Sequence, residues 1–304
     1  MSTTMRIGFV GLGNMGGNMA ERLLHAAYPV YGTDRNQEQH KALEQQGLLW
    51  RKTPREVAKA ADIVFTSLPD DGVLDVVASG PDGILAGLAP GQIWIDMSTV
   101  SPGASRKLAA QVHALGASLL DAPVSGSVPQ VKTGTLTIMV GGDEAVYGRV
   151  KPILRALGTP TYIGDHGQGL SLKLAINISL AVQMLAFAEG LLLAERAGID
   201  RRLAAKVMAQ SPIGSPMLKA RAALVLDLPD EAWFDVDFMQ KDLRLALGVA
   251  ADAQISLPST VVADELLSAA RAGGYGHRDI AVLYQVLTDL AAAQSRGSSS
   301  PAIV

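Results

Sequence analysis

Short apolar runs and helical stretches alternate along the first half of the chain. Arg6–Val10, Pro29–Thr33, Ile63–Ser67, Ile93–Asp96, Ser118–Leu120 and Leu136–Val140 are brief and bounded by turn residues, with Tyr162–Ile163 the last such run. Runs of this length and composition predict strands buried on both faces. Helix signals fall between them. Thr53-Pro54-Arg55-Glu56 sets an N-cap threonine before a proline at the first helical position and a glutamate at the third, which predicts a capping box. Pro69-Asp70-Asp71-Gly72 and Pro90-Gly91 punctuate the rest. Alternation of this kind predicts a parallel, doubly wound sheet with helices on both faces.

The pattern changes after Gly164-Asp165-His166-Gly167-Gln168-Gly169. From Leu170 to Ala197 there is no proline and one glycine, and leucine and alanine dominate. A single long helix, buried on more than one side, is predicted there. Further helices are expected at Asp200–Ala209, Phe238–Ala253, Ser259–Ala272 and Asp279–Ala293, with no strand after Ile163. The expected organisation is therefore α/β: a Rossmann-type doubly wound domain over residues 1–165 and an all-α domain over 166–296. The long helix lies between them, and residues 297–304 are expected to form a mobile tail. So apolar a helix calls for a second subunit, and a homodimer or homotetramer is expected.

The turn after the first strand carries chemistry. Gly11-Leu12-Gly13-Asn14-Met15-Gly16 is a Gly-x-Gly-x-x-Gly run between a strand and a helix. Its glycines suit a tight turn, close backbone approach to a pyrophosphate, and close packing of helix on strand. The helix N-terminus adds unpaired N–H groups and partial positive charge. About twenty residues on, the second run ends at Asp34, placed to accept hydrogen bonds from an adenosine ribose. The other reading makes Asp34 a cap of the next helix, with Asn36 as rival. Arg35 could hold a 2′-phosphate. Asp34 favours NAD, Arg35 NADP; NAD is the expected cofactor, with NADP as the alternative. Leu68 and Pro69, after the Ile63–Ser67 strand, are expected to border the same cofactor.

Composition narrows the function. A net charge of −3 with scattered lysines and arginines offers no basic stripe for nucleic acid. With no cysteine there is no disulfide or thiolate site, which fits a reducing cytoplasm. Histidines at 25, 40, 113, 166 and 277 lack paired ligand spacing, so no metal is expected. The N-terminus reads as lacking an export signal. The uncharged stretch 174–188 falls short of the ~18 residues a membrane span needs, so no membrane partner is expected.

Two further stretches supply candidate catalysts. Lys173 and Asn177 are four apart and share one helix face among apolar neighbours. Desolvation disfavours a charged lysine, and such an amine can exchange a proton with a substrate oxygen, which Asn177 could position. A snorkelling lysine beside a hydrogen-bonded core asparagine is the competing reading. Asp121-Ala122-Pro123-Val124-Ser125-Gly126-Ser127 runs from a strand into a Ser-Gly-Ser turn, either a carboxylate cradle or an ordinary loop. Thr99 falls at the carboxyl edge of the sheet, where ligands of open α/β folds bind. Lys241-Asp242 opens a late helix, where a lysine opposes the dipole; this suggests a nearby anion or a solvated surface pair.

In order, these pieces resemble the β-hydroxyacid dehydrogenase family, which includes 3-hydroxyisobutyrate dehydrogenase and short-chain semialdehyde reductases. The resemblance rests on Gly11–Gly16 with Met19, Asp96-Met97-Ser98-Thr99, Asp121–Gly126, Gly167 through Lys173 to Asn177, and Lys241-Asp242-Leu243, spread over about residues 5 to 293. It implies that Lys173 is the catalytic lysine and that Asn177, Ser125 and Gly126 touch substrate. It further implies that Thr99 and Lys241 approach the nicotinamide, that Asp242 lies near the active site and that Phe234 lines the pocket. The family commonly reads Ser-Gly-Gly where this chain has Ser125-Gly126-Ser127, so Ser127 is expected to narrow the pocket or add a hydrogen bond. The expected reaction is hydride transfer between NAD(P) and a small 3-hydroxy acid or its semialdehyde. The alternatives are an imine reductase, in which an acid or tyrosine usually replaces the lysine, and a non-catalytic dinucleotide-binding protein.

Overall fold

The structure, a computed structural model, describes residues 5–296 of the 304. The expected mobile tail at 297–304 lies outside the described residues. Tertiary contacts divide the chain into two compact units, which part after Lys173.

The first unit runs β1 (Ile7–Val10), α1 (Asn14–His25), β2 (Val30–Thr33), α2 (Lys41–Gln45), β3 (Leu49–Trp50), α3 (Pro54–Ala60), β4 (Ile63–Thr66), α4 (Asp71–Ser79), β5 (Ile93–Asp96), α5 (Pro102–Ala114), β6 (Ser118–Asp121), β7 (Val124–Ser125), α6 (Val128–Thr133), β8 (Leu136–Gly142), α7 (Glu144–Leu154) and β9 (Gly158–Gly164). A 3₁₀ turn, Gln37–His40, precedes α2. The strands form one sheet in the order β3-β2-β1-β4-β5-β6-β8-β7, with β9 on β8. Alternate residues feed two cores. Ile63, Phe65, Ile93 and Ile95 pack on one face, while Val64 and Trp94 pack on the other, as a doubly wound sheet requires.

The sheet is mixed rather than all-parallel. β3 through β6 are parallel to their neighbours, but β8 runs antiparallel to both β6 and β7. The link from β7 to β8 holds only the short helix α6, and a parallel crossover needs a dozen residues or more. β6 and β7 keep one register against β8, so they are a single strand interrupted at Ala122-Pro123. Proline has no N–H to continue the ladder.

Thr53 caps α3 as expected, its Oγ1 accepting from the Glu56 N–H at 3.2 Å. The Glu56 carboxylate reaches back to the Lys52 N–H at 3.0 Å, one residue further than the ideal box.

α8 (Gln168–Arg196) begins in the first unit and continues into the second. There it is followed by α9 (Arg201–Gln210), α10 (Pro216–Leu226), α11 (Val236–Asp252), α12 (Pro258–Ala272) and α13 (Leu283–Arg296), with a 3₁₀ turn at Ile280–Val282. Over its full length α8 is long and apolar enough to cross a membrane, so the shortfall expected from 174–188 does not hold. Its Met184, Phe187, Ala188 and Leu191 are nonetheless core residues of the second unit, packed with Leu218, Met239 and Leu267.

Candidate active site

The glycine-rich turn has the room a dinucleotide needs. Gly11 has φ +88°, and a Cβ there would strike the Ser67 carbonyl oxygen; a Cβ on Gly16 would strike the Gly11 carbonyl oxygen. Gly13 is different: a Cβ there would meet nothing within 4 Å. Gly13 is also the N-cap of α1, with no side chain capping the helix and no acidic residue in its first turn. Unshielded N–H groups beside open space are what a pyrophosphate requires, so these residues fit a dinucleotide. Leu12 is buried, while Asn14 and Met15 begin α1.

Asp34 follows the end of β2, and its Oδ2 accepts from the Leu12 N–H at 2.7 Å. The carboxylate thus belongs to the cofactor turn as well as to the Asn36 N–H, 3.3 Å from Oδ1. His40 Nε2 stands 3.5 Å from Oδ1, and the His40 ring stacks on Trp50, a group the sequence did not bring to the site. Arg35 is exposed.

At the carboxyl ends of β4 and β5 the Asp96–Thr99 motif joins a buried polar cluster, to which the motif itself assigned no role and whose Thr66 and Trp94 no motif contained. Asp96 is 1% exposed, and its Oδ1 accepts from Thr66 Oγ1 at 2.7 Å and from Ser98 Oγ at 2.6 Å. Ser98 Oγ in turn accepts from the Leu68 N–H at 2.8 Å, which fixes the turn carrying Leu68 and Pro69. Trp94 Nε1 donates to Thr66 Oγ1 at 2.9 Å. Burial pushes the Asp96 carboxyl above the usual carboxylate range. Hydrogen bonds from Ser98 and Thr66 pull it partly back, and the neighbouring Asp121 charge raises it. Thr99 follows this cluster and is half-buried.

Ser125 ends β7, and Gly126 follows with φ +129°; a Cβ there would press on Leu136 and Gln130. Ser127 stands at the start of α6. Its N–H and its hydroxyl both donate to Gln130 Oε1, at 2.9 and 3.1 Å. The added hydroxyl therefore starts α6, and both Ser127 donors point at Gln130.

Lys173 is 8% exposed and sits one turn before Asn177, which is 1% exposed. In the second unit Asn177 Nδ2 donates to Asp242 Oδ2 at 2.5 Å, and Lys241 Nζ lies 2.9 Å from Asp242 Oδ1. Asp242, 2% exposed, thus joins Asn177 to Lys241. The lysine does not oppose the helix dipole as expected. α11 starts earlier, at Val236, with Asp235 as its cap, which places Lys241 in the second turn beside its own counter-ion. Phe234 precedes α11. Its N–H and that of Trp233 donate to Asp279 Oδ2 at 3.1 and 2.9 Å, and Asp279 forms a buried 2.8 Å ion pair with Arg221.

A dinucleotide-binding sheet followed by a helical unit is the arrangement expected of an NAD(P)-dependent oxidoreductase, and sequence comparison shows that class. Residues 6–165 match the NAD-binding domain of 6-phosphogluconate dehydrogenase, and residues 167–287 match the NAD-binding region of NADP-dependent 3-hydroxyisobutyrate dehydrogenase. The chain is 35% identical over 288 residues to 2-(hydroxymethyl)glutarate dehydrogenase of Eubacterium barkeri, covering 94% of this chain and 96% of that one. It is 36% identical over 284 residues to 2-hydroxy-3-oxopropionate reductase of Escherichia coli (strain K12), covering 93% and 97%. The solved structure of 3-hydroxyisobutyrate dehydrogenase from Salmonella typhimurium aligns with a TM-score of 0.85 at 30% identity, covering 93% and 99%. The chain belongs to the β-hydroxyacid dehydrogenase family and is an NAD(P)-dependent enzyme of it.

Proposed function

We propose that this enzyme interconverts a small 3-hydroxy acid and its semialdehyde, with Lys173 relaying the hydroxyl proton and NAD preferred over NADP. The observation that carries this reading is a lysine, 8% exposed, one helical turn from a buried asparagine. Burial keeps such an amine from bulk water, so its proton exchange is directed to a bound substrate oxygen. Asn177, oriented by Asp242, is positioned to hold the substrate oxygen or the amine.

When bound, the nicotinamide supplies the carbon that accepts or returns the hydride. The chain's own part is to bind, orient and move one proton. The Gly11–Gly16 turn and the start of α1 hold the pyrophosphate, Asp34 takes the adenosine ribose, and Leu68, Pro69 and Thr99 border the rest of the cofactor. Asp34 repels a 2′-phosphate, which favours NAD; Arg35 leaves some tolerance of NADP. Ser125 and the Gly126 N–H hold the substrate carboxylate. Ser127 adds a hydroxyl beside the same turn, which it shares with Gln130 Oε1 and can turn to the carboxylate.

Lys173→Ala should lower kcat by ~100-fold or more, the usual scale of general acid–base catalysis, with cofactor affinity retained. The assay pairs NAD and NADP with short 3-hydroxy acids, their semialdehydes, and sulfonate and phosphonate analogues. Wild-type turnover in the variant would remove Lys173 from the mechanism.

A further inference from the structure

Asp121 appears in the motif set without a role, and the structure supplies one. It is the last residue of β6 and has no exposed surface. Its Oδ1 accepts from the Gly167 N–H at 2.8 Å, and its Oδ2 accepts from the Leu170 N–H at 3.1 Å. These amides lie at the opening of α8, where the first N–H groups of a helix have no partner within the helix. The cap comes from 46 and 49 residues away, and its negative charge also suits the helix dipole.

Two glycines make the space. A Cβ on Gly141 would come within 2.7 Å of one Asp121 oxygen and 2.8 Å of the other; a Cβ on Gly169 would come within 2.8 Å of Oδ2. Lys173 lies three residues beyond Leu170, in the next turn of the same helix. On its other side, Asp121 leads through Ala122-Pro123 to Ser125 and Gly126. One side chain therefore ties the strand that feeds the Ser-Gly turn to the helix that carries the lysine.

We propose that Asp121 is the positioning residue that seats the first turn of α8 on the β6–β7 strand, and so sets where the Lys173 amine stands relative to Ser125 and Gly126. The inference rests on the reading of Lys173 as the proton relay. Asp121 is fully buried, with both carboxylate oxygens engaged by helix N–H groups. Its effect is geometric, and small displacements of a catalytic group of about 1 Å can cost about 100-fold in rate. An asparagine at this position keeps one acceptor and turns an N–H₂ toward a helix N–H.

In the full-length enzyme, Asp121→Asn should lower kcat by about 10- to 100-fold while the cofactor Kd stays within about 2-fold of wild type. Hydrogen exchange at residues 167–171 should accelerate, with protection in β1 and β4 unchanged. Gly169→Ala, whose methyl would press on Asp121 Oδ2 at 2.8 Å and on the Met139 carbonyl oxygen at 2.5 Å, should lift the same turn from its seat and reproduce the kcat loss, so the test does not depend on one variant. If both variants keep wild-type kcat, or lose kcat, cofactor binding and thermal stability in parallel, the positioning role is wrong. An inactive wild type would instead overturn the functional reading. In that case exchange still decides, because unchanged protection at 167–171 in Asp121→Asn would overturn the cap itself.

Discussion

Two glycines of one motif have separable roles at the scale of single residues. Gly16 is packed against the Gly11 carbonyl, so Gly16→Ala should impair the fold itself. Gly13 faces open space, so Gly13→Ala should leave Tm nearly unchanged while cofactor affinity drops by about 10-fold or more, because the methyl occupies the pyrophosphate's approach. Thermal melts alongside cofactor titrations separate the two; equal losses of Tm would remove the distinction. Asp96 makes a second case. Burial raises its native pKa above the unfolded value of about 3.9, so folding favours the protonated form. Its stabilising contribution is complete below that unfolded value and is lost as pH rises through the raised native pKa. Asp96→Asn should therefore flatten the decline in stability above about pH 4. Asp121, raised chiefly by burial and partly lowered by the Gly167 and Leu170 N–H groups, keeps a residual slope of the same sign. Urea denaturation over a pH series reads it, and an unchanged slope in the variant would exclude Asp96 as its source.

At the scale of elements, the second unit depends on a buried charge pair. Asp279 accepts from Arg221, Trp233, Phe234 and Ala281, and so fixes the segment ahead of α11. Asp279→Ala would strand a buried guanidinium and should cost about 3–5 kcal/mol in equilibrium unfolding, whereas Arg221→Met with Asp279→Asn, which keeps an acceptor for the backbone N–H groups, should recover part of it. A single variant as stable as wild type would rule that out. None of this pair was legible in sequence, since its members are 58 residues apart. The same limit hid Asp121 as a cap and the antiparallel direction of β8. By contrast β1, β4 and β5 are fully buried runs whose signal is local. The Lys173–Asn177 spacing was equally plain, because a helix converts a four-residue interval directly into one face. α10 was missed although Ser215-Pro216 marks its start, because its apolar residues surround the helix instead of forming one stripe. The two-residue strands β3 and β7 exist through pairing alone.

Association is the property that the whole molecule leaves to be read from its surface. Leu193 at the end of α8 is 74% exposed, and Leu203 and Val207 of α9 are 54% and 57% exposed, with Ile199 between the helices. A helix apolar on all sides is ordinarily covered on all sides. Large apolar side chains left exposed on neighbouring helices suit an interaction site. We propose that this surface of the second unit meets a second copy of the chain, giving a homodimer or homotetramer. Light scattering should then report a multiple of the monomer mass. Leu193→Asp combined with Val207→Asp should shift that mass toward the monomer, because each charge would have to be desolvated at the contact. A wild-type monomer at assay concentration would end the proposal. An oligomer untouched by both substitutions would place the contact on another face.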